Sequence, residues 1–429
     1  MSLFQKTLPD ERDLINCTQD CRLPESFADL SHRLSYLDRQ EEALQAIEEA
    51  VELYLCLTPV ATACSAVYRS DLARSHSKRS NVLSALGRHK EALQSIEAAV
   101  AVYRGLPEDY RVASFRFNYV WSLYHFAECL NDLGRDKDAL GPIEEAANLG
   151  RSLVGDRPAE FGHTVAMILY NFARTLSKFD RQNEALQAAN EAIVVCELIS
   201  EDCASESDSK LALAFNLRSV LLNEIGRHED SLLAARKAIE VYQRLAADRP
   251  AAFNHHLARC LIILSTELLM LGRHEEALQP AKDANAIYKS LAENRPATFN
   301  PDVARSLRVL SNTWGQLDRH DRSIQAIEGA TEIYRTLAVR CPAAFNSYLA
   351  GCLYTFSLRL SVCGRQADAL EVIEEAIKYY RLLEVDDPAL SADLERAIEQ
   401  QVCCLTILGH QEEAAQASKE LPENYRMKF

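Results

Sequence analysis

Apolar positions follow helical spacing along most of the chain, and the pattern repeats. In one stretch Leu307, Leu310, Trp314 and Leu317 recur at the three-and-four spacing of a single buried helical face. A tight turn follows, and then a second helical pattern in which small residues take the inward positions. Each unit therefore predicts helix A, a tight turn, helix B and a longer loop of the RPAAFN type. Helix A of the seventh unit is expected to open at Asn300, Pro301 and Asp302, which read as a capping side chain, a proline needing no N–H, and a carboxylate on the helix dipole.

An arginine after helix A sets the register. It falls at Arg39, Arg88, Arg135, Arg181, Arg227, Arg273, Arg319 and Arg365, with His410 in the ninth place, so successive gaps are 49, 47, 46, 46, 46, 46, 46 and 45 residues. The regularity predicts one all-α array of about nine two-helix units over residues 23–421. Residues 1–22 are left as an N-terminal arm or partial cap, and residues 422–429 as a tail. Just before each anchor stands Gly87, Gly134, Gly226, Gly272, Gly364 or Gly409, or else Asp38, Asp180 or Asp318. These residues tolerate the left-handed backbone that closes a helix, so the position needs no further explanation.

Helix B carries the firmest pattern. Alanine or serine stands four residues after the anchor, as at Ala43, Ala92, Ser231 and Ala277. Alanine returns seven residues later, as at Ala50, Ala99, Ala238 and Ala284. Small side chains at these places let helices approach closely. A tyrosine follows at Tyr54, Tyr103, Tyr242, Tyr288, Tyr334 and Tyr380, read as a packing ring with its hydroxyl at the rim. Unit three departs, with Gly150 for the tyrosine and Pro142 inside helix B, which predicts a kink or loosened packing.

The small residue of helix A at Ser265, Ser311 or Ser357, the LGR turn, the EEAL start of helix B and the later alanine resemble the tetratricopeptide repeat (TPR). The period departs from that family's 34 residues by about 12, and looks like that of long-period arrays in fungal and actinobacterial proteins. The resemblance implies an α-solenoid wound as a right-handed superhelix, with helix A lining a concave face that binds protein or peptide. Such arrays often accompany NB-ARC-type ATPase or CHAT-type protease domains, so a regulatory or sensor array acting with a separate ATPase or protease is the alternative to a scaffold or adaptor.

Composition narrows the chemistry. The net charge of −15, spread over every unit, speaks against nucleic-acid or anionic-membrane partners. No apolar run reaches membrane-span length. The start MSLFQKTLPDERDLINC resembles no secretory leader, and the 13 cysteines scatter as small, reduced fillers, so an intracellular, cytoplasmic protein is expected. Cys17 with Cys21 and Cys403 with Cys404 lack partners at zinc-ligand spacing, no phosphate-cradling loop occurs, and the recurring His89, His228, His274 and His320 are turn residues. No catalytic residue, metal or cofactor is expected, and the oligomeric state is left open.

Specificity should then lie where the units differ, at helix-A positions 14, 11, 10, 7, 4 and 3 residues before the anchor, which the resemblance turns toward a ligand. Leu217, Val220, Ile262, Ile263, Met270, Leu358 and Val362 form an apolar stripe there beside Tyr354. Arg259, Arg305, Arg308 and Arg396 flank it with Asn312, while Tyr124, Tyr170, Asn171 and Arg174 hold the corresponding places in units three and four. Forked donors, amides and rigid rings suit a peptide with acidic and apolar side chains. The carboxylate clamp of chaperone-binding family members is matched only in part, by Arg308, Asn312 and Arg396, with Thr355 and Gln400 standing at other clamp positions.

Overall fold

The computed structural model describes residues 23–58, 65–106, 113–199, 204–384 and 391–421. Among them are eighteen helices in nine hairpins. Hairpin one is α1 (Leu23–Tyr36) and α2 (Gln40–Leu57), two is α3 (Ser65–Ala85) and α4 (His89–Arg104), and three is α5 (Ala113–Asp132) and α6 (Asp136–Asp156). Four is α7 (Pro158–Lys178) and α8 (Gln182–Leu198), five is α9 (Ala204–Glu224) and α10 (His228–Asp248), and six is α11 (Pro250–Met270) and α12 (His274–Asn294). Seven is α13 (Pro296–Gln316) and α14 (His320–Arg340), eight is α15 (Pro342–Val362) and α16 (Gln366–Glu384), and nine is α17 (Ser391–Leu408) and α18 (Gln411–Ser418). Odd-numbered helices are the A helices of the repeat and even-numbered ones its B helices. The expected arm at 1–22 and tail at 422–429 lie outside the described residues. Two compact units emerge, Met1–Leu217 and Arg218–Phe429, the boundary falling within α9.

The turn inside each hairpin follows from backbone chemistry. All nine residues before the anchors take positive φ, from 56° at Asp318 to 84° at Gly409. That conformation folds the chain back so that two N–H groups satisfy carbonyls at the end of the A helix. In hairpin two, Gly87 N–H donates to Ser84 C=O and Arg88 N–H to Leu83 C=O, each at 2.9 Å. The anchor then starts the B helix, its own carbonyl accepting from Ala92 N–H at 3.0 Å. Its guanidinium reaches forward to the Glu91 carboxylate at 2.7 and 2.6 Å. An acid stands three residues after every anchor except Arg319, which is followed there by Arg322. One residue therefore closes one helix and opens the next. The exposed ion pairs orient it more than they stabilise it.

The alanine ladders mark close packing. Ala43, Ala92, Ala139, Ala185, Ala277 and Ala369, and every alanine of the second set from Ala50 to Ala376, are fully buried. Where the A helix offers a serine eight residues before the anchor, it ties the two helices of the hairpin together. Ser31 Oγ donates to Ala43 C=O at 2.7 Å, Ser80 to Ala92 at 2.8 Å, Ser265 to Ala277 at 2.9 Å and Ser357 to Ala369 at 2.8 Å. The bonds are buried, and losing one leaves a polar group without its partner.

Three expectations are corrected. The RPAAFN segment is not a loop: Pro158, Pro250, Pro296 and Pro342 sit at the first helical position after single-residue joints with φ between −133° and −146°. Proline holds the preceding residue extended and lacks only an N–H that the helix end leaves unbonded, so the A helix starts a turn early. Asn300, Pro301 and Asp302 consequently lie inside α13. The tyrosine hydroxyls are not at the rim either. Tyr288 donates to His255 C=O and Tyr334 to Pro301 C=O, each at 3.3 Å, because the hydroxyl reaches the early A helix of its own hairpin, 33 residues back. Finally, a Cβ at Gly150 would meet both Val165 methyls at 3.3 Å, so packing at that residue is close rather than loosened, and α6 runs unbroken from Asp136 to Asp156.

Candidate binding surface on the A helices

In the N-terminal unit the A-helix face holds a cavity of about 400 Å³ bordered by α1, α3, α5 and α7. Arg74, Ser77, Lys78 and Asn81 of α3 occupy the positions 14, 11, 10 and 7 before the anchor, and Phe117 and Trp121 of α5 stand opposite. Ser77 and Ser122 hydroxyls bridge α3 and α5 at 2.7 Å. Arg74 is paired with Asp71 at 2.7 Å, and the Lys78 ammonium donates to Ala28 C=O at 3.4 Å. Burial, and then Arg74, push the Lys78 pKa down, while burial raises that of Asp71. None of these residues is among the expected site residues. The signal was present in hairpin two, whose ladder positions carry arginine, lysine and asparagine.

Farther along the same unit, Tyr124 is buried, with its hydroxyl donating to Glu128 and accepting from Asn171 at 3.3 Å. Burial acts to raise the Glu128 pKa, but hydrogen bonds from His125 and Tyr124 outweigh it and leave the carboxyl lowered. Trp121 meets His125 edge-on at 4.6 Å. Tyr170 and Leu217 are half-buried, and Arg174 is exposed, its charge felt at Tyr124 and Glu128.

In the C-terminal unit the ladder is arginine-rich. Arg259 of α11, Arg305 of α13 and Arg396 of α17 share the place 14 residues before their anchors, and Arg308 lies one turn beyond Arg305. Arg259 approaches His256 Nδ1 at 3.4 Å, Arg305 approaches Asp302 at 3.5 Å, and Arg396 pairs with Asp393. Arg308 makes no ion pair with a described residue. Burial, then His255 and Arg259, lower the His256 pKa to about 4, so that imidazole is neutral at pH 7. Of the stripe, Ile262 is buried, Val220, Ile263, Tyr354 and Leu358 are half-buried, and Met270 and Val362 are 65% and 61% exposed.

Two features of this face were not foreseen. Asn312 Oδ1 accepts from Arg359 at 3.1 Å, and the Arg359 guanidinium lies over Gly315, where a side chain would have to displace it. Glu267 is wholly buried in α11, facing His228 Nδ1 at 3.3 Å, and burial raises its pKa. Both residues stand six before their anchors, where Val82, Leu221 and Thr313 are small or apolar. Gln400, one of the clamp positions, is turned inward, donating to Ser361 Oγ at 2.8 Å.

Among the described residues no group of three or more His, Cys, Asp or Glu side chains could hold a metal ion, and no helix is long and apolar enough to cross a membrane. The nine described cysteines form no disulfide with one another, and five of them are buried.

Comparison with known proteins agrees with the architecture. The family model of anaphase-promoting complex subunit 5 matches residues 26–54 and 159–204, which fall on hairpins one and four. No curated protein matches the sequence significantly. Among solved structures, the apo form of RapI is similar with a TM-score of 0.61 at 12% identity, over 93% of this chain and 97% of that one. The apo form of the quorum sensor NprR from B. thuringiensis has a TM-score of 0.57 at 15% identity, over 92% and 96%. A signal-transduction ATPase with numerous domains and a TPR sensor, from Pyrococcus horikoshii, has a TM-score of 0.53 at 12% identity, over 87% of this chain and 52% of that one. The chain is a TPR-like array, an α-solenoid of about nine helical repeats.

Proposed function

We propose that this protein is a non-catalytic adaptor that binds an extended peptide or protein segment along the A-helix face, with acidic side chains on the arginines and apolar ones on the stripe. The observation that carries this reading is the arginine set of the C-terminal unit, Arg259, Arg305, Arg308 and Arg396, in which Arg308 stands beside Arg305 and makes no ion pair with a described residue. A guanidinium offers a planar, forked donor to an incoming carboxylate. Exposed Met270 and Val362 supply apolar area on the same ladder. The proposed site residues are the apolar stripe with Tyr354, the arginines with Asn312, and Tyr124, Tyr170, Asn171 and Arg174; Tyr124 and Ile262, being buried, act by shaping the face rather than by touching a ligand.

Affinity capture with mass spectrometry identifies the partner, and fluorescence polarisation with the captured segment then measures its affinity. The double charge reversal Arg305→Glu and Arg308→Glu is expected to weaken binding at least about tenfold, the scale of a lost central charged contact. Unchanged affinity would place the ligand elsewhere.

The match to the sensor-bearing ATPase favours a second reading, in which the array senses a ligand on behalf of a separate ATPase or protease. Recovery of a nucleotide-binding or protease protein in the same capture, released by the charge reversal, distinguishes this from a simple scaffold.

A further inference from the structure

The outer face of the B helices is charged in nearly every hairpin. Nine residues after the anchor stand Glu48, Glu97, Glu144, Arg236, Lys282, Glu328, Glu374 and Lys419, and only hairpin four has an uncharged residue, Asn190. Val194 and Leu198 continue this face of α8 at four-residue spacing, 53% and 62% exposed. Across from them α6 presents Gly155, where an added Cβ would meet nothing within 4 Å. Val165 and Leu169 of α7, both buried, form the floor. Together they bound a trough of about 640 Å³. It runs beside α8 from Asn183 to Leu198, roughly 22 Å at helical rise.

The charges lining it are already engaged. Arg151 Nε donates to Glu191 at 2.7 Å between α6 and α8, its Nη1 donates to Asn148 Oδ1 at 2.6 Å, and Gln187 donates to the same Glu191 carboxylate at 3.0 Å. What remains for a ligand is an apolar floor, the carboxamides of Asn183 and Asn190, which donate and accept without charge, and the amide oxygen of Gln187. The volume lies within the roughly 300–1,000 Å³ of small-molecule sites.

We infer that this trough between α6 and α8 binds a small neutral amphiphile, a linear aliphatic chain carrying a hydroxyl, ester or amide group. The length of the trough suits an extended chain, and its amides suit an uncharged head. An ionic head would have to break the Arg151–Glu191 pair. The site is separate from the A-helix face and does not depend on its reading.

The test titrates the full chain with the neutral dye N-phenyl-1-naphthylamine and displaces it with 1-dodecanol, dodecanoate or dodecyltrimethylammonium. Saturable dye binding is expected, with 1-dodecanol displacing at least tenfold better than either ion. The double variant Asn190→Glu and Val194→Glu installs the residues that hairpins one and seven carry at these places, and should weaken dye binding at least tenfold with its helical circular dichroism retained. Gly155→Leu fills the trough from the other wall and should do the same. Leu233→Glu, at an exposed apolar residue of α10, should leave binding unchanged. Absence of saturable binding, equal affinity in both trough variants, an equal loss in Leu233→Glu, or tighter binding of either ion overturns the assignment.

Discussion

Hairpins six and seven and hairpins three and four share one repeat but use it differently. In six and seven the serine of the A helix bonds across the hairpin, through Ser265 and Ser311, and Tyr288 and Tyr334 fill the core. In three and four Ala127 and Ala173 replace the serine, and Gly150 and Cys196 replace the tyrosine. Aromatic volume comes instead from the A helices, where the Phe117 and Phe161 rings meet tilted, with centroids 5.0 Å apart. The regular pair spends its inward residues on packing and varies at its surface positions. The irregular pair alters the packing itself, and there the trough opens on the outer side. Repetition within this chain marks what holds it together, and departures mark where it presents new surfaces.

The two pairs of hairpins differ most at the rings. Tyr334→Ala, removing a side chain that is 2% exposed, is expected to destabilise the C-terminal unit by about 3–5 kcal/mol in urea denaturation. Tyr334→Phe, which removes only the hydroxyl bond to Pro301, should cost about 1 kcal/mol. Next comes Gly150→Leu. If hairpin three were a regular hairpin merely lacking its ring, added volume would stabilise it; contact with Val165 instead predicts a loss of about 1–3 kcal/mol. Ser265→Ala should cost about 1 kcal/mol through the buried bond to Ala277, and no change in the melting temperature would deny the serine a role in joining the helices.

The smallest effect is on pH dependence. His76 in α3 and His256 in α11 both have folded pKa values of about 4, lowered from 6.5 by burial first and by nearby basic side chains second. A base that loses proton affinity on folding is protonated mainly in the unfolded chain. Its contribution is therefore intact above pH 6.5 and declines as pH falls from 6.5 toward 4. Urea midpoints measured at pH 7 and pH 5 should differ less in His76→Asn and in His256→Asn than in the parent chain. An unaltered difference in one variant would show that histidine to be protonated and accommodated in the fold.

Much of the fold was legible because packing constraints repeat. The nine turn residues, the alanine ladders and the hairpin count all follow from residues whose roles are local and steric. The helix starts were misplaced because Asn300, Pro301 and Asp302 imitate a cap, whereas the true start at Pro296 depends on the single extended residue before it. The surface was harder to read. Exposure at a ladder position depends on neighbours from other hairpins, so buried Tyr124 and Ile262 look the same in sequence as exposed Met270. Arg359 over Gly315 and the Glu267–His228 pair join residues about 40 apart, beyond any local pattern.

The joints carry a consequence for how such a chain can change length. Each anchor serves two helices at once, and Arg157, Arg249, Arg295 and Cys341 each connect hairpins alone. A joint of one residue has no slack. A single insertion in a helix turns every later side chain of that helix by about 100°, carrying the alanines off their stripe. Across these four joints growth or loss is thus tolerated in whole hairpins, and the 46-residue spacing of the anchors they separate is the mark of a ruler whose graduations cannot be subdivided.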